Sequence, residues 1–577
     1  MHISTFPFSK EGREALASSE PKAKDWPVVY LINNDKELYI GETQNAVYRF
    51  EQHLSNEAKK GLKQINVIFD EEYNKSAILD LEQTLIHLCF AERKFKLLNQ
   101  NKGQSCKHDY YQREKYLNKV DEIWERLRKK GLVGSPISEV RNSNLFKYSP
   151  YTSLTMEQEE VCSKVALDAS EKLLRKEKGV AIISGGAGTG KTLVLISILF
   201  RFLEAMKVSV SPSLEEEERT DYVSLVLMLQ DYMKEIGGKK VKIAYVCPMT
   251  SLRKTIQKVF SLTGNGLKGS MVKGPQDLFD GDEYDLVLVD EAHRLARRKN
   301  ITSFGSFDSR ARELGLDKEK ASQLDFILAR SKYTILVYDP AQSVKGSDIT
   351  PEQFESALRG MDPLRFALKT QMRCKGGEKF ISCLDRLFEG RMEGKIAFEE
   401  GQYEFKLFED VGKMVEAIKL NDRIHGLCRV AAGYAWEWVS KPYASKGFDY
   451  IVSHNLQDIH IDGHHYVWNM SNKEFILSKN AINEIGCIHT LQGYDLNYVG
   501  VILGEEIDYD PEKKEIVIDR ERFFDAKVKN GVDAKTLARY IINSYKVMMS
   551  RGIKGCYIYC CKKNLREYLR SHMEEVL

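Results

Sequence analysis

The stretch Gly179-Val-Ala-Ile-Ile-Ser-Gly185-Gly-Ala-Gly-Thr-Gly190-Lys191-Thr192, with the apolar run Leu193–Leu199 behind it, decides how this chain is read. A short apolar run, a glycine-rich turn and a second apolar run predict a buried strand, a loop and a helix. Gly185, Gly186, Ala187, Gly188, Thr189, Gly190, Lys191 and Thr192 fit the phosphate-binding pattern G-x-x-x-x-G-K-[ST]. Backbone N–H groups can converge on phosphate oxygens only where side chains stand aside and the backbone takes unusual angles, hence glycine. The helix N-terminus adds free N–H groups and the positive end of its dipole. Lys191 is expected at the outer phosphates and Thr192 at Mg²⁺, so the chain is expected to bind a nucleoside triphosphate.

Working outward, Tyr284-Asp-Leu-Val-Leu-Val-Asp290-Glu291 predicts a second buried strand that delivers two carboxylates at its C-terminal end. In α/β folds that end is where ligands bind. Asp290 is the expected Mg²⁺ holder and Glu291 the residue that orients or activates water. Tyr333–Asp339 predicts another strand, ending near Gln342. Arg373 follows a short strand, and Arg551 precedes the last one, Cys556–Cys561. Cations near a transferring phosphoryl group offset the charge that accumulates there. Thr155 and Gln158 have the spacing of a helix capping box.

In this order the motifs resemble a superfamily 1 DNA/RNA helicase, and within it the bacterial Schlafen-like helicase group. Tyr338-Asp339-Pro-Ala-Gln342-Ser343, Thr370-Gln-Met-Arg373-Cys374 and Ala432-Gly-Tyr434-Ala-Trp436-Glu-Trp438 carry the closer likeness. The resemblance implies two RecA-like lobes with ATP and Mg²⁺ (or Mn²⁺) between them. It also implies adenine recognition by Gln158 and γ-phosphate sensing through Gln342. Arg373 and Arg551 would meet the triphosphate from the second lobe, His489, Thr490 and Gln492 would lie at its junction with nucleic acid, and Gly493 would help bind the nucleotide. Ser550 stands where the family usually has threonine.

The first hundred residues carry different chemistry. Val28–Ile32 and Glu37–Gly41 flank an Asn/Asp turn and predict a hairpin. Arg49 and His53 are four apart, hence on one helical face. Glu82 lies on a largely apolar helix, a candidate metal ligand for phosphodiester hydrolysis. Val28-Val29-Tyr30, Tyr39-Ile40-Gly41, Arg49, His53, Glu82 and Asn99 together resemble the GIY-YIG nuclease family, with the first motif's Gly-Ile replaced. The resemblance makes Tyr30 the group that helps deprotonate water, places Tyr39, Arg49 and His53 around the phosphate, and makes Asn99 a further site residue. A phenol titrates near pH ~10, so the base role asks the site to lower that value.

The expected architecture is α/β: a small α+β nuclease domain (residues 1–103), a basic helical connector (104–150) and two parallel-sheet P-loop lobes (151–360 and 361–577). Residues 102–150 hold 11 Lys/Arg against 6 Asp/Glu, and Val120, Ile123, Trp124 and Leu127 recur with helical spacing. Residues 208–240, with the acidic run Glu215–Glu218, are expected to form a solvated excursion. Trp436 and Trp438 are expected to alternate along a strand. Asp462-Gly463 predicts a hairpin turn.

The 577 residues carry 86 Lys+Arg against 83 Asp+Glu, so net charge alone does not call for a nucleic-acid partner. The cysteines lack paired C-x-x-C spacing, which argues against a disulfide framework or zinc module, and no apolar run reaches membrane-span length. A cytoplasmic setting is the expectation. The functional expectation is an ATP-dependent nuclease–helicase acting on DNA, in anti-phage defence or DNA repair. An ATP-sensing gate over the nuclease, a nucleic-acid-binding scaffold with an inactive nuclease, and an RNA substrate remain open.

Overall fold

The structure, a computed structural model, describes residues 1–99, 110–186, 188–208, 220–279, 283–299, 301, 303–343, 345–371, 374–399, 401–470, 475, 478, 480–491 and 494–576. Ala187, Glu215–Glu218, Arg373, Gln492 and Gly493 lie outside them. The chain forms two compact units, Met1–Glu159 and Glu160–Leu577.

In the first unit the expected hairpin forms from β2 (Val28–Asn33) and β3 (Glu37–Thr43), which pair antiparallel with Tyr30 opposite Gly41. They sit in a five-stranded sheet with β1 (His2–Pro7), β4 (Gln64–Phe69) and β5 (Lys96–Leu97), in the order β1-β4-β2-β3-β5. Every residue of β2 is buried, as its unbroken apolar run requires for a central strand. Phe50, from the helix Ala46–Leu54, packs with Val28, Tyr30, Ile32 and Val67 to form the core of this unit. The helix Lys75–Glu92 buries most of its length. The amphipathic helix comes out as Arg113–Lys129, burying Val120, Ile123, Trp124 and Leu127, and the Trp124 indole donates to the Ser135 carbonyl at 2.9 Å. Packing is therefore what its apolar stripe does.

The second unit contains two parallel sheets, the expected RecA-like lobes. The first is built from β6 (Gly179–Gly185), β7 (Ile243–Val246), β8 (Val272–Lys273), β9 (Tyr284–Val289), β10 (Ser331–Tyr338) and β11 (Leu364–Leu368). Their order is β11-β6-β10-β9-β7-β8, and all pairs are parallel. The second sheet takes β12 (Glu404–Phe408), β13 (Arg429–Ala432), β16 (Leu496–Leu503), β19 (Gly552–Cys560) and β20 (Glu574–Val576) in the order β13-β16-β19-β12-β20, again parallel. Two hairpins stand apart: β14 (Ile459–Ile461) with β15 (His464–Tyr466), and β17 (Ile507–Asp510) with β18 (Glu515–Ile518). Asp462 and Gly463 both have positive φ, 49° and 82°, so the predicted tight turn is there.

Two expectations are corrected. The segment after residue 208 is not wholly a solvated excursion: the helix Asp221–Glu235 buries Leu225, Val226, Leu229 and Tyr232, and the Tyr232 hydroxyl donates to Asp285 at 2.5 Å. Its apolar face was in the sequence, but the neighbouring acidic run masked it. Trp436 and Trp438 lie in irregular chain after β13 and pack against the core of the second lobe, where Trp438 meets Trp468 edge-on. Local alternation was mistaken there for a strand, because pairing partners are not visible locally.

Candidate functional site

The phosphate loop joins β6 to the helix Lys191–Ala205, as its sequence requires. Gly190 caps that helix with φ 78° and Gly188 has φ 88°, angles at which a side chain is strained. A Cβ on Gly188 would also fall 2.0 Å from the Gln371 amide oxygen. The Lys191 ammonium is buried and donates to the carbonyls of Gly185 (2.7 Å) and Gly186 (2.8 Å), with Asp339 Oδ2 at 3.3 Å. Gln342 donates its side-chain amide to the same Asp339 oxygen at 2.6 Å. Thr189 folds its hydroxyl onto the Gly186 carbonyl.

β9 carries Asp290 to the same end of the sheet. Thr192 Oγ1 donates to Asp290 Oδ1 at 3.1 Å, and Tyr245 of β7 donates to Oδ2 at 2.9 Å. Burial raises the Asp290 pKa, and the adjacent Glu291 adds to the rise. Burial acts the same way on Glu291, but His293 overrides it: its Nε2 lies 3.0 Å from the Glu291 carboxylate, and the net shift is downward. Glu291 itself has φ 52° at the start of the short turn Ala292–Arg294. The two neighbouring carboxylates are thus pushed apart, which is how acid–base roles separate. A glycine cradle, a buried lysine, and a hydroxyl against a buried carboxylate fit a triphosphate with a divalent ion.

Several expected partners are placed differently or more loosely. Gln158 and Thr155 form the capping box: the Thr155 N–H donates to Gln158 Oε1 at 3.0 Å, and the Gln158 N–H to Thr155 Oγ1 at 3.2 Å. Arg551 is buried beyond the helix Ala534–Met549, and its Nε donates to the Val547 carbonyl at 3.2 Å. Thr490 closes its own turn, accepting from the Cys487 N–H at 2.8 Å. His489 is half-buried, its ring 5.9 Å from that of Tyr434, and loss of solvent, with Lys345 and Arg294 adding repulsion, holds its imidazole neutral down to about pH 3. Asn543, on the Ala534–Met549 helix, donates to the Ser343 carbonyl at 3.3 Å, which ties the second lobe to the segment following Gln342.

In the first unit a second set converges. The Tyr30 hydroxyl and His53 Nε2 are 2.7 Å apart, and the Tyr39 ring meets His53 edge-on. Gly41 makes this possible: a Cβ there would lie 2.3 Å from Tyr30 Oη. The Arg49 guanidinium faces the Tyr30 and Tyr39 hydroxyls, which raise its pKa. Burial raises Glu82 to about 7, and the neighbouring Glu42 adds to the shift. Asn99 fastens to β3, accepting from the Ile40 N–H at 3.1 Å and donating to the Ile40 carbonyl at 2.8 Å. It holds the strand that carries Tyr39.

The expected lowering of Tyr30 does not occur. Burial drives its pKa well upward, Tyr39 adds to the rise, and Arg49 offsets only part of it. Sequence reading also missed Lys59, a buried lysine whose ammonium lies 2.7 Å from His53 Nδ1 and 3.1 Å from the Tyr39 ring centroid. Among the described residues no group of three or more His, Cys, Asp and Glu could hold a metal. A divalent ion at Glu82 would therefore take one or two carboxylates and complete its shell with water and phosphate oxygens, a pattern that suits Mg²⁺.

Comparison with known proteins bears on the second unit. The model of the Schlafen group 3 DNA/RNA helicase domain matches residues 178–562, more than half of the chain. The chain belongs to this family. With the Schlafen helicase domain comes nucleic-acid binding, a conclusion that net charge could not supply. The match begins one residue before β6 and takes in all of the first parallel sheet and all of the second except β20. The chain is also similar to the uncharacterized protein YPL245W of Saccharomyces cerevisiae, 28% identical over 458 residues, covering 72% of this Schlafen-family chain and 90% of that protein. Residues 1–177 lie outside the helicase-domain match. Among the described residues no helix is long and apolar enough to cross a membrane.

Proposed function

We propose that this Schlafen-family chain is an ATP-dependent nuclease–helicase. ATP hydrolysis in the second unit drives movement along nucleic acid, DNA in the first instance, and a GIY-YIG-type site in the first unit cleaves it. The Thr192–Asp290 hydrogen bond carries the motor half of this reading, because it joins the phosphate loop to the acidic strand end, 98 residues away in sequence. Lys191 turns from its loop carbonyls to the outer phosphates. Thr192 and Asp290 would hold a divalent ion, which would supply charge neutralisation at the phosphates. Glu291, kept ionised by His293, orients the attacking water. Arg551, Arg373, Gly493 and Gln342 serve the closing second lobe, and Gln158 reads adenine.

The convergence of Tyr30, Tyr39, Arg49 and His53 supports the nuclease half, with Glu82 as the metal-holding carboxylate. Mg²⁺ or Mn²⁺ bound there would polarise the scissile phosphate. Arg49 faces the charge that develops on the phosphate oxygens. Defence against foreign DNA and DNA repair are settings in which both activities serve one task.

The test combines single-stranded, duplex and forked DNA, and RNA, with Mg²⁺ or Mn²⁺, with and without ATP. It compares wild type with Glu82→Ala and Lys191→Ala. Metal-dependent cleavage that Glu82→Ala abolishes is expected; cleavage unchanged in that variant removes the site assignment. Suppression of cutting by ATP would favour a nucleotide-sensing gate, and binding without cutting a scaffold.

A further inference from the structure

The pairing of β3 with β5 covers only Glu37 and Leu38, so the rest of β3 on that side is an edge of the sheet. Ile40 gives both its N–H and its C=O to the Asn99 side chain, which shows that its backbone groups face away from β2. In an antiparallel pair that orientation recurs every second residue. Glu42, two residues on in the same unbroken register, therefore presents its N–H to the same outer edge. There the Glu82 carboxylate accepts it. The carboxylates of Glu42 and Glu82 are thus no more than one glutamate side chain apart.

A second bond sets the direction of the Glu42 side chain. Lys75 Nζ donates to Glu42 Oε2 at 2.5 Å. Lys75 and Glu82 lie two turns apart on the helix Lys75–Glu92, hence on one face of it. That helix packs on β3, and the Lys75 bond draws Glu42 toward the face from which Glu82 projects. The Glu42 side chain is 18% exposed and that of Lys75 47%, so the carboxylate is the fixed member of the pair and the ammonium the one that can leave. Two carboxylates from neighbouring elements share this one ammonium: it draws the Glu82 pKa down while the Glu42 charge pushes it up.

We propose that Glu42 is the second carboxylate ligand of the divalent-metal site at Glu82, and that Lys75 is the counterion the metal displaces. This rests on the nuclease reading above. A donor set of two carboxylates suits Mg²⁺ or Mn²⁺, which fill the remaining positions with water and substrate phosphate. Lys75 carries its charge on a flexible four-carbon stem and swings into solvent when the ion arrives. One ammonium offsets two carboxylates only in part; a dication offsets both. Arg49, which faces the Tyr30 and Tyr39 hydroxyls, takes no part in the exchange and stays available to phosphate.

The test is Mn²⁺ binding to the full chain without nucleotide, read by the electron paramagnetic resonance signal of free Mn²⁺. An Asp290→Asn background silences the motor cleft, and Glu42→Gln, Lys75→Met and Glu82→Ala are compared with that parent. Losing a group that merely supports a metal ligand costs about 10–100-fold in affinity, so Glu42→Gln should weaken Mn²⁺ binding at least about tenfold. Lys75→Met removes the competing cation and should tighten it. Opposite signs are the signature of a ligand and its counterion. If Glu42 served only to anchor Lys75, both variants would weaken binding alike, and that result overturns the proposal. A misfolded variant cannot produce the tightening, so the lysine arm stands whatever Glu42→Gln does to stability. Binding unchanged in Glu42→Gln but lost in Glu82→Ala overturns the role of Glu42 and leaves the nuclease reading intact. Binding unchanged in Glu82→Ala removes the metal site itself, and the proposal with it.

Discussion

Gly41→Ala puts the geometry of the proposed nuclease site to a quantitative test. Gly41 has no left-handed backbone, so alanine fits its φ and ψ. Losing glycine from a strand interior should by itself stabilise by about 0.5–1 kcal/mol. Against this, the added Cβ would fall 2.3 Å from Tyr30 Oη and 2.4 Å from its Cζ. The Tyr30 ring is 1% exposed and held between His53 and Tyr39, so it cannot swing clear without moving both. Overpacking of this kind costs about 1–3 kcal/mol, so the steric term should win. Net destabilisation of about 1–2 kcal/mol is expected, roughly 2–8 °C in the melting of a unit of this size. Cleavage should suffer more, because a displacement near 1 Å at a reacting group costs on the order of 10²-fold. Calorimetric melting and single-turnover cleavage of the same preparation read both effects. A Gly41→Ala chain that melts as wild type does and cuts at the wild-type rate would refute the packing argument.

Three further outcomes are expected. Glu291→Gln should bind ATP within a few-fold of wild type yet hydrolyse it at least about 10²-fold more slowly, read by nucleotide binding and phosphate release; normal turnover would take Glu291 out of the mechanism. Metal affinity at Glu82, measured by Mn²⁺ titration of wild type against Glu82→Ala, should weaken about tenfold per unit as pH falls below 7 and stay level above, because the ion needs the carboxylate that burial protonates up to about 7. Glu506, buried and bonded to Tyr545, is likewise raised to about 7 by burial. Its folded-state proton contributes stability that is complete below about pH 4.5 and lost as pH rises through 7. Denaturant titrations should therefore show Glu506→Gln gaining on wild type by up to about 1.4 kcal/mol per unit between those values, then levelling; a pH-independent difference would contradict this.

The motor motifs were legible because each is a contiguous string whose residues do their work where they stand. The phosphate loop needs glycines, lysine and threonine in one turn, and β9 needs its carboxylates at the end of one apolar run. What the string could not show was who meets them. Tyr245 reaches Asp290 from another strand, and His293 sets the charge of Glu291 through a turn whose geometry depends on φ 52° at Glu291. Glu57-Ala-Lys59-Lys60-Gly61 reads as a solvated charged turn, yet one of its two lysines is folded inward onto His53 and the other points to Glu57. No local pattern separates them, since burial is decided by where the helix Ala46–Leu54 places His53. Tyr30 was recognised by its motif, but the direction of its titration follows from burial, a tertiary quantity. The helix Asp221–Glu235 was hidden by composition, its apolar face lying beside an acidic run.

The central claim is that nucleotide chemistry at Lys191, Asp290 and Glu291 moves this chain along nucleic acid. The most direct measurement is ATP-driven strand separation of a forked DNA, made in a Glu82→Ala background so that cutting cannot mimic unwinding. Separation that requires ATP and disappears on adding Lys191→Ala is the expected result. Separation that persists with Lys191→Ala, or ATP hydrolysis that depends on Lys191 yet never parts the strands, would contradict the account.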